Sequence, residues 1–175
     1  MPPQPLPAAD VLIGIAQIAV SLAGFSGLIA ALRGAMVDWH PRDIWSMSWM
    51  LGMSVGALLL GLLPPWLALS GAPEVEVYRL SGAVGVMYLG VFGLATAIAG
   101  RRLTRGGFPP RVPGFPTVLY SLLTIAAIAD LAAAFRLFGQ RPAFAYVGSL
   151  VVMLLAAVAA LCVFLVLLAR KTKRE

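Results

Sequence analysis

Polar residues are scarce along this chain and they cluster, leaving five apolar stretches between them: 11–32, 44–69, 80–99, 117–135 and 143–169. Each reaches the ~20 residues that a helix needs to cross a hydrocarbon core ~30 Å thick. Alanine- and leucine-rich runs of this length differ from the alternating segments of about ten residues that build a membrane β-barrel. The pattern predicts an all-α fold: a polytopic membrane helical bundle of about five transmembrane helices, forming a single domain over residues 1–175. Asp10 suits the N-cap of the first helix, and Arg33-Gly34 closes it. Pro116 and Pro142 stand where proline fits a helix start. Pro64-Pro65 should kink or end the second helix near its far side and free backbone carbonyls there.

Composition sharpens the picture. Hydrophobic residues make up 61% of the chain and charged residues 11%, whereas a soluble domain carries about a quarter charged residues to wet its surface. The mean hydropathy is +0.93. A net charge of +6 would draw nucleic acid if it formed a patch, but the basic residues lie between and after the apolar runs. That is where topology signals belong, so no nucleic-acid partner is expected. With five spans, one side holds Arg33, Arg42, Arg101, Arg102, Arg105, Arg111, Arg170, Lys171, Lys173 and Arg174, ten of the thirteen basic residues. The other side holds Arg79, Arg136 and Arg141. The positive-inside rule then places the N-terminus outside and the C-terminus in the cytoplasm. The opening MPPQPLPAAD lacks the positive region of a cleavable signal peptide. The single cysteine, Cys162, excludes an intrachain disulfide and a cysteine metal cluster.

Asp130 carries the sharpest chemical signal. It sits among alanines in TIAAIADLAAAFRLFG, well inside the fourth span. A carboxylate in hydrocarbon costs a few kcal/mol on insertion scales, so it faces protein or water and often marks a pathway. The plainer alternative is a structural residue that is protonated, or tied to a neighbouring hydroxyl or to Arg136. Counted inward from the helix ends, Gln17, Tyr88, Asp130 and Ser149 share a depth of roughly 8–14 Å, so a common polar layer is expected as a candidate pathway. Gly14, Gln17, Ser21 and Gly24 recur at steps of three and four residues in span one. Such a narrow stripe serves either as a helix–helix seam between copies or as the lining of a ring-shaped pore. Gly90, Gly93 and Ala97 form a similar small face in span three.

Met47, Met50 and Met53 stand three residues apart. They would suit Cu(I), but methionine is also ordinary packing in an apolar helix, and with no cysteine or histidine pair no metal is expected. His40 precedes the second run and would either respond to pH or cap that helix. Arg101, Arg102 and Arg105, with Arg170, Lys171, Lys173 and Arg174 of the tail, are candidate contacts for lipid headgroups. There is no HExxH, GxSxG, P-loop or paired carboxylate, so neither an enzyme nor a cofactor is expected.

The segment SLAGFSGLIAALRG resembles the first helix of uncharacterised small bacterial multi-span membrane proteins. That resemblance implies no activity, and it fits a location in the bacterial inner membrane. The leading functional expectation is a homo-oligomeric ion channel or small permeation pathway with a cation as substrate. The alternatives are a structural or partner-binding membrane subunit without transport activity, and a small dimeric transporter. Flux through reconstituted protein separates the first from the second.

Overall fold

In a computed structural model of the chain, residue 6 and residues 8–34, 40–135, 137 and 142–172 are described, apart from the side chains of 32–34 and 168–172. Five helices carry the described residues: α1 (Ala9–Gly34), α2 (Pro41–Ala68), α3 (Glu74–Arg105), α4 (Phe115–Ala134) and α5 (Pro142–Thr172). All five are long and apolar enough to cross a membrane, and no strand occurs among the described residues.

The helix ends follow local chemistry more than hydropathy. α1 begins at Ala9, so Asp10 lies in its first turn and not at the cap; there it meets the positive end of the helix dipole. Pro41 opens α2, and the His40 side chain caps it by accepting a hydrogen bond from the Arg42 amide at 3.2 Å. α3 is longer than its apolar run at both ends, because Glu74 and Glu76 suit its first turn and Arg102 and Arg105 its last. Its 32 residues reach about 48 Å, well beyond a hydrocarbon core of about 30 Å. Gly114, in the left-handed conformation at φ +83°, turns the chain into Phe115-Pro116 at the start of α4.

Pro64-Pro65 does not end α2. The helix runs through both prolines to Ala68. A proline at 64 removes the donor that would bond the Leu60 carbonyl. The Tyr146 hydroxyl of α5 replaces it, donating to that oxygen at 2.6 Å. The broken rung is thereby mended by a neighbouring helix, as proline in a membrane helix requires.

α5 touches each of the other four helices; α1 packs on α2 and α5, and α4 on α3 and α5. Small residues set the close approaches. Gly61 admits the α1 backbone, with the Leu12 carbonyl 3.3 Å from where a Cβ would stand, and Gly52 and Gly56 receive the rings of Phe92 and Tyr88. Trp49 fills the interior between α2, α3 and α4, edge-on to Phe92 at 5.2 Å and Tyr120 at 5.1 Å. Met47, Met50 and Met53 are all buried in this core, as packing methionines are.

The outward faces are apolar: Trp66 is 67% and Leu69 85% exposed, with Met87, Val91, Leu94 and Phe144 nearly as open. No soluble monomer leaves this much large apolar surface wet. The chain is a multi-pass membrane helical bundle.

Candidate functional site

Asp130 occupies the buried stripe of α4. Leu119, Ala126, Asp130 and Ala133 follow one another at helical spacing on the face turned inward. The carboxyl is fully buried, at 0% exposure, against α3 where Gly82 and Gly85 leave room for it. A Cβ at Gly85 would overlap the carboxyl itself, and one at Gly82 would stand 2.7 Å from the Asp130 carbonyl. Alanines on α4 and glycines on α3 bring the two backbones close, and the acid fills the gap.

Ser149 of α5 lies beside this carboxyl, Tyr146 of the same helix is near enough to feel its charge, and Ser81 of α3 lies beside Tyr146. Ser149 stands close enough to interact, yet neither it nor either carboxyl oxygen reaches hydrogen-bond geometry, and the Ser81 hydroxyl also closes no bond. Tyr146 spends its proton on Leu60. The two Asp130 oxygens and the Ser149 hydroxyl thus lie together in the buried interior without a hydrogen bond. Unpaired buried oxygens cost about 1–3 kcal/mol each, so this place stands out within the described bundle as buried, polar and unsatisfied.

Of the four residues placed at a common depth, the structure brings Asp130 and Ser149 together. Tyr88 turns towards α2, where its hydroxyl donates to the Gly52 carbonyl at 2.5 Å and its ring stacks on Phe92. Gln17 is exposed on the outer side of α1 and does not join the buried group. Ser21 and Gly24 share that outer side, and a Cβ at Gly14 or Gly24 would meet nothing within 4 Å. On α3, Gly90 faces open space, but Gly93 packs on Leu123 of α4, and Ala97 is half-buried. Ser81 and Tyr146 were the site residues that sequence reasoning passed over. Both sit among apolar neighbours, and only the pairing of α3 with α5 reveals them.

A second polar cluster closes the opposite end. Arg42, at 6% exposure, and Asp43, at 3%, are buried at the start of α2. The Arg42 guanidinium donates from Nε to the Phe108 carbonyl at 2.7 Å, and from Nη2 to Thr104 Oγ1 at 2.6 Å and the Gly100 carbonyl at 3.3 Å. It also lies 5.6 Å from the Trp45 ring centre. Asp43 accepts from Arg111 at 3.0 Å. Together they tie the start of α2 to the C-terminal end of α3 and to the 106–114 connector that follows it, so two segments expected on the same side of the membrane meet at one end of the bundle. Arg101, Arg102 and Arg105 are exposed there. The side chains of Arg170 and Lys171, and all of Arg136, Lys173 and Arg174, lie outside the described residues. No group of three or more His, Cys, Asp or Glu able to hold a metal occurs among the described residues.

Compared with known proteins, the chain matches no family model, no curated protein and no solved structure.

Proposed function

We propose that this protein is a small permeation pathway for a cation or proton in the bacterial inner membrane, with Asp130 as the group the permeant visits. The observation behind this reading is the fully buried carboxyl whose oxygens close no hydrogen bond, with the unbonded Ser149 hydroxyl beside it. A proton or a small cation supplies the positive charge such a group lacks, and hydroxyl oxygens share in holding it. The N-terminus lies outside and the cytoplasmic end is the one bearing Arg101, Arg102 and Arg105. Passage requires α3 and α4 to part at Gly82 and Gly85, where α3 meets the α4 backbone, the Ala133 methyl and the Asp130 carboxyl. In proteoliposomes the protein is expected to carry a cation or proton flux that Asp130→Asn sharply reduces, while the variant keeps its helical content and assembly. A wild-type protein that passes no ion under any gradient or pH removes this reading.

A second reading, a membrane subunit that docks on other chains, draws on the outer face of α1. Gly14, Ser21 and Gly24 lie on a side that none of the other four helices covers, and such small faces pack well against copies of themselves. The two readings are compatible if α1 is the seam of a homo-oligomer and each protomer holds its own Asp130. Gly24→Leu adds bulk where the protomer has open space. It should leave the fold intact and shift the protein to smaller assemblies, as measured by mass in lipid nanodiscs. An unchanged assembly, or a monomeric wild type, excludes α1 as the seam.

A further inference from the structure

We propose that the arginine-lined cavity at the α2–α3–α4 end of the bundle is a binding site for an anionic phospholipid, seated by its phosphate. This inference is independent of the role given to Asp130. The cavity is open and holds about 560 Å³, with Arg42, Arg101 and Arg105 in its wall and no acidic residue. Asp43, next to Arg42 in the chain, is tied to Arg111 instead.

The donors are arranged for an oxyanion. Arg42 is fixed by its Nε and Nη2 bonds, which leave Nη1 without a hydrogen bond among the described residues. A buried guanidinium held this way is pre-organised and presents its remaining hydrogens without losing rotamer freedom. Tyr120 lines the same cavity with its ring, while its hydroxyl is buried beside Thr96. Thr96 stands beside that hydroxyl but spends its own proton on the Phe92 carbonyl at 2.9 Å. Arg101 and Arg105 project from the last turns of α3 and add exposed positive charge to the cavity.

The surroundings choose a lipid over a free anion. Trp45, Ala97, Pro110 and Pro116 give the cavity largely apolar walls, which a solvated phosphate does not need. A second groove of about 590 Å³ shares Pro116 and Tyr120 with the first and continues along α4 past Thr117, Ser121 and Ile125. A headgroup held by the arginines therefore has a track for its chain beside a membrane-crossing helix. Basic pockets between membrane helices hold anionic headgroups by this combination.

Neighbouring arginines provide the test. Arg101 lines the cavity, whereas Arg102, equally exposed, faces a different groove beside Phe108. In native mass spectrometry of the full chain, phosphatidylglycerol is expected to bind at least about tenfold tighter than phosphatidylcholine, as two or three charges near an anionic headgroup provide. Arg101→Gln should weaken phosphatidylglycerol roughly fivefold and Arg101→Gln with Arg105→Gln roughly thirtyfold, while Arg102→Gln changes it less than about twofold. Equal losses for Arg101→Gln and Arg102→Gln, or no preference between the two lipids, would mean diffuse surface charge and would overturn the site. Inorganic phosphate that binds as tightly as phosphatidylglycerol, and is lost in Arg101→Gln, would overturn the lipid assignment in favour of a free anion.

Discussion

Replacing Gly82 with alanine is expected to cost about 2–3 kcal/mol of fold stability, at the upper end of what overpacking costs. The new methyl would stand 2.7 Å from the Asp130 carbonyl oxygen and 3.1 Å from the Ala134 amide. Both are backbone atoms of α4, so the only relief is to move the two helices apart, which opens the contact that seats Asp130. One turn later the same change meets a different obstacle. At Gly85 the methyl meets the Asp130 carboxyl and not the backbone. A side chain can rotate where a helix cannot, so Gly85→Ala should cost less stability and should displace the carboxyl from Ser149. Thermal unfolding in detergent checks the order: Gly82→Ala below Gly85→Ala below wild type. In liposomes Gly85→Ala should lose flux out of proportion to its stability. If Gly82→Ala unfolds like wild type, the close α3–α4 contact is wrong.

Arg42→Gln should be comparably damaging, for electrostatic reasons. The guanidinium serves three acceptors on two segments, the Phe108 and Gly100 carbonyls and the Thr104 hydroxyl. Hydrogen bonds from a charged donor contribute about 1.5–3 kcal/mol each, and those sharing one donor do not add fully, so a loss of about 3 kcal/mol is expected. Lysine should rescue little, because a single ammonium on a flexible stem cannot span acceptors that the planar fork reaches together. By contrast, Arg111→Gln leaves only Asp43 short of a partly exposed ion pair and should cost less. Proteolysis of the 106–114 connector gives an independent readout, with faster cleavage in Arg42→Gln than in Arg111→Gln.

The five apolar runs were legible because membrane-crossing length leaves so few alternatives at this composition. Helix ends were not. Glu74–Arg79 and Gly100–Arg105 are too polar to count as hydrocarbon, yet both continue α3, since charge at the helix termini is stabilised by the dipole. The prolines of α2 were read correctly as freeing carbonyls but not as lying within a continuous helix. What keeps it continuous is the hydroxyl of Tyr146, 86 residues away from Leu60. Arg42 counted as one positive charge among ten. Its burial follows from the packing of the end of α3 and the 106–114 connector over the start of α2, and only the neighbouring Asp43 hinted at a polar cluster. The stripe of Gly14, Gln17, Ser21 and Gly24 was visible from its spacing. Spacing fixes which residues share a face, but the direction of that face depends on where α2 and α5 lie, and it turned outward.

Whether a permeant reaches Asp130 is tested most directly by labelling that residue. A lipid-soluble carbodiimide modifies protonated carboxyls in apolar surroundings, and peptide mass spectrometry locates the adduct. If Asp130 is visited during transport, the wild-type protein in membranes will acquire the adduct there. Raising the concentration of the transported cation, or the pH, will slow the modification by competing for the same oxygens. An Asp130 that stays unmodified while the helices remain intact, or that reacts at a rate no cation and no pH alters, would contradict the account and leave the carboxyl as a packed element of the α3–α4 contact.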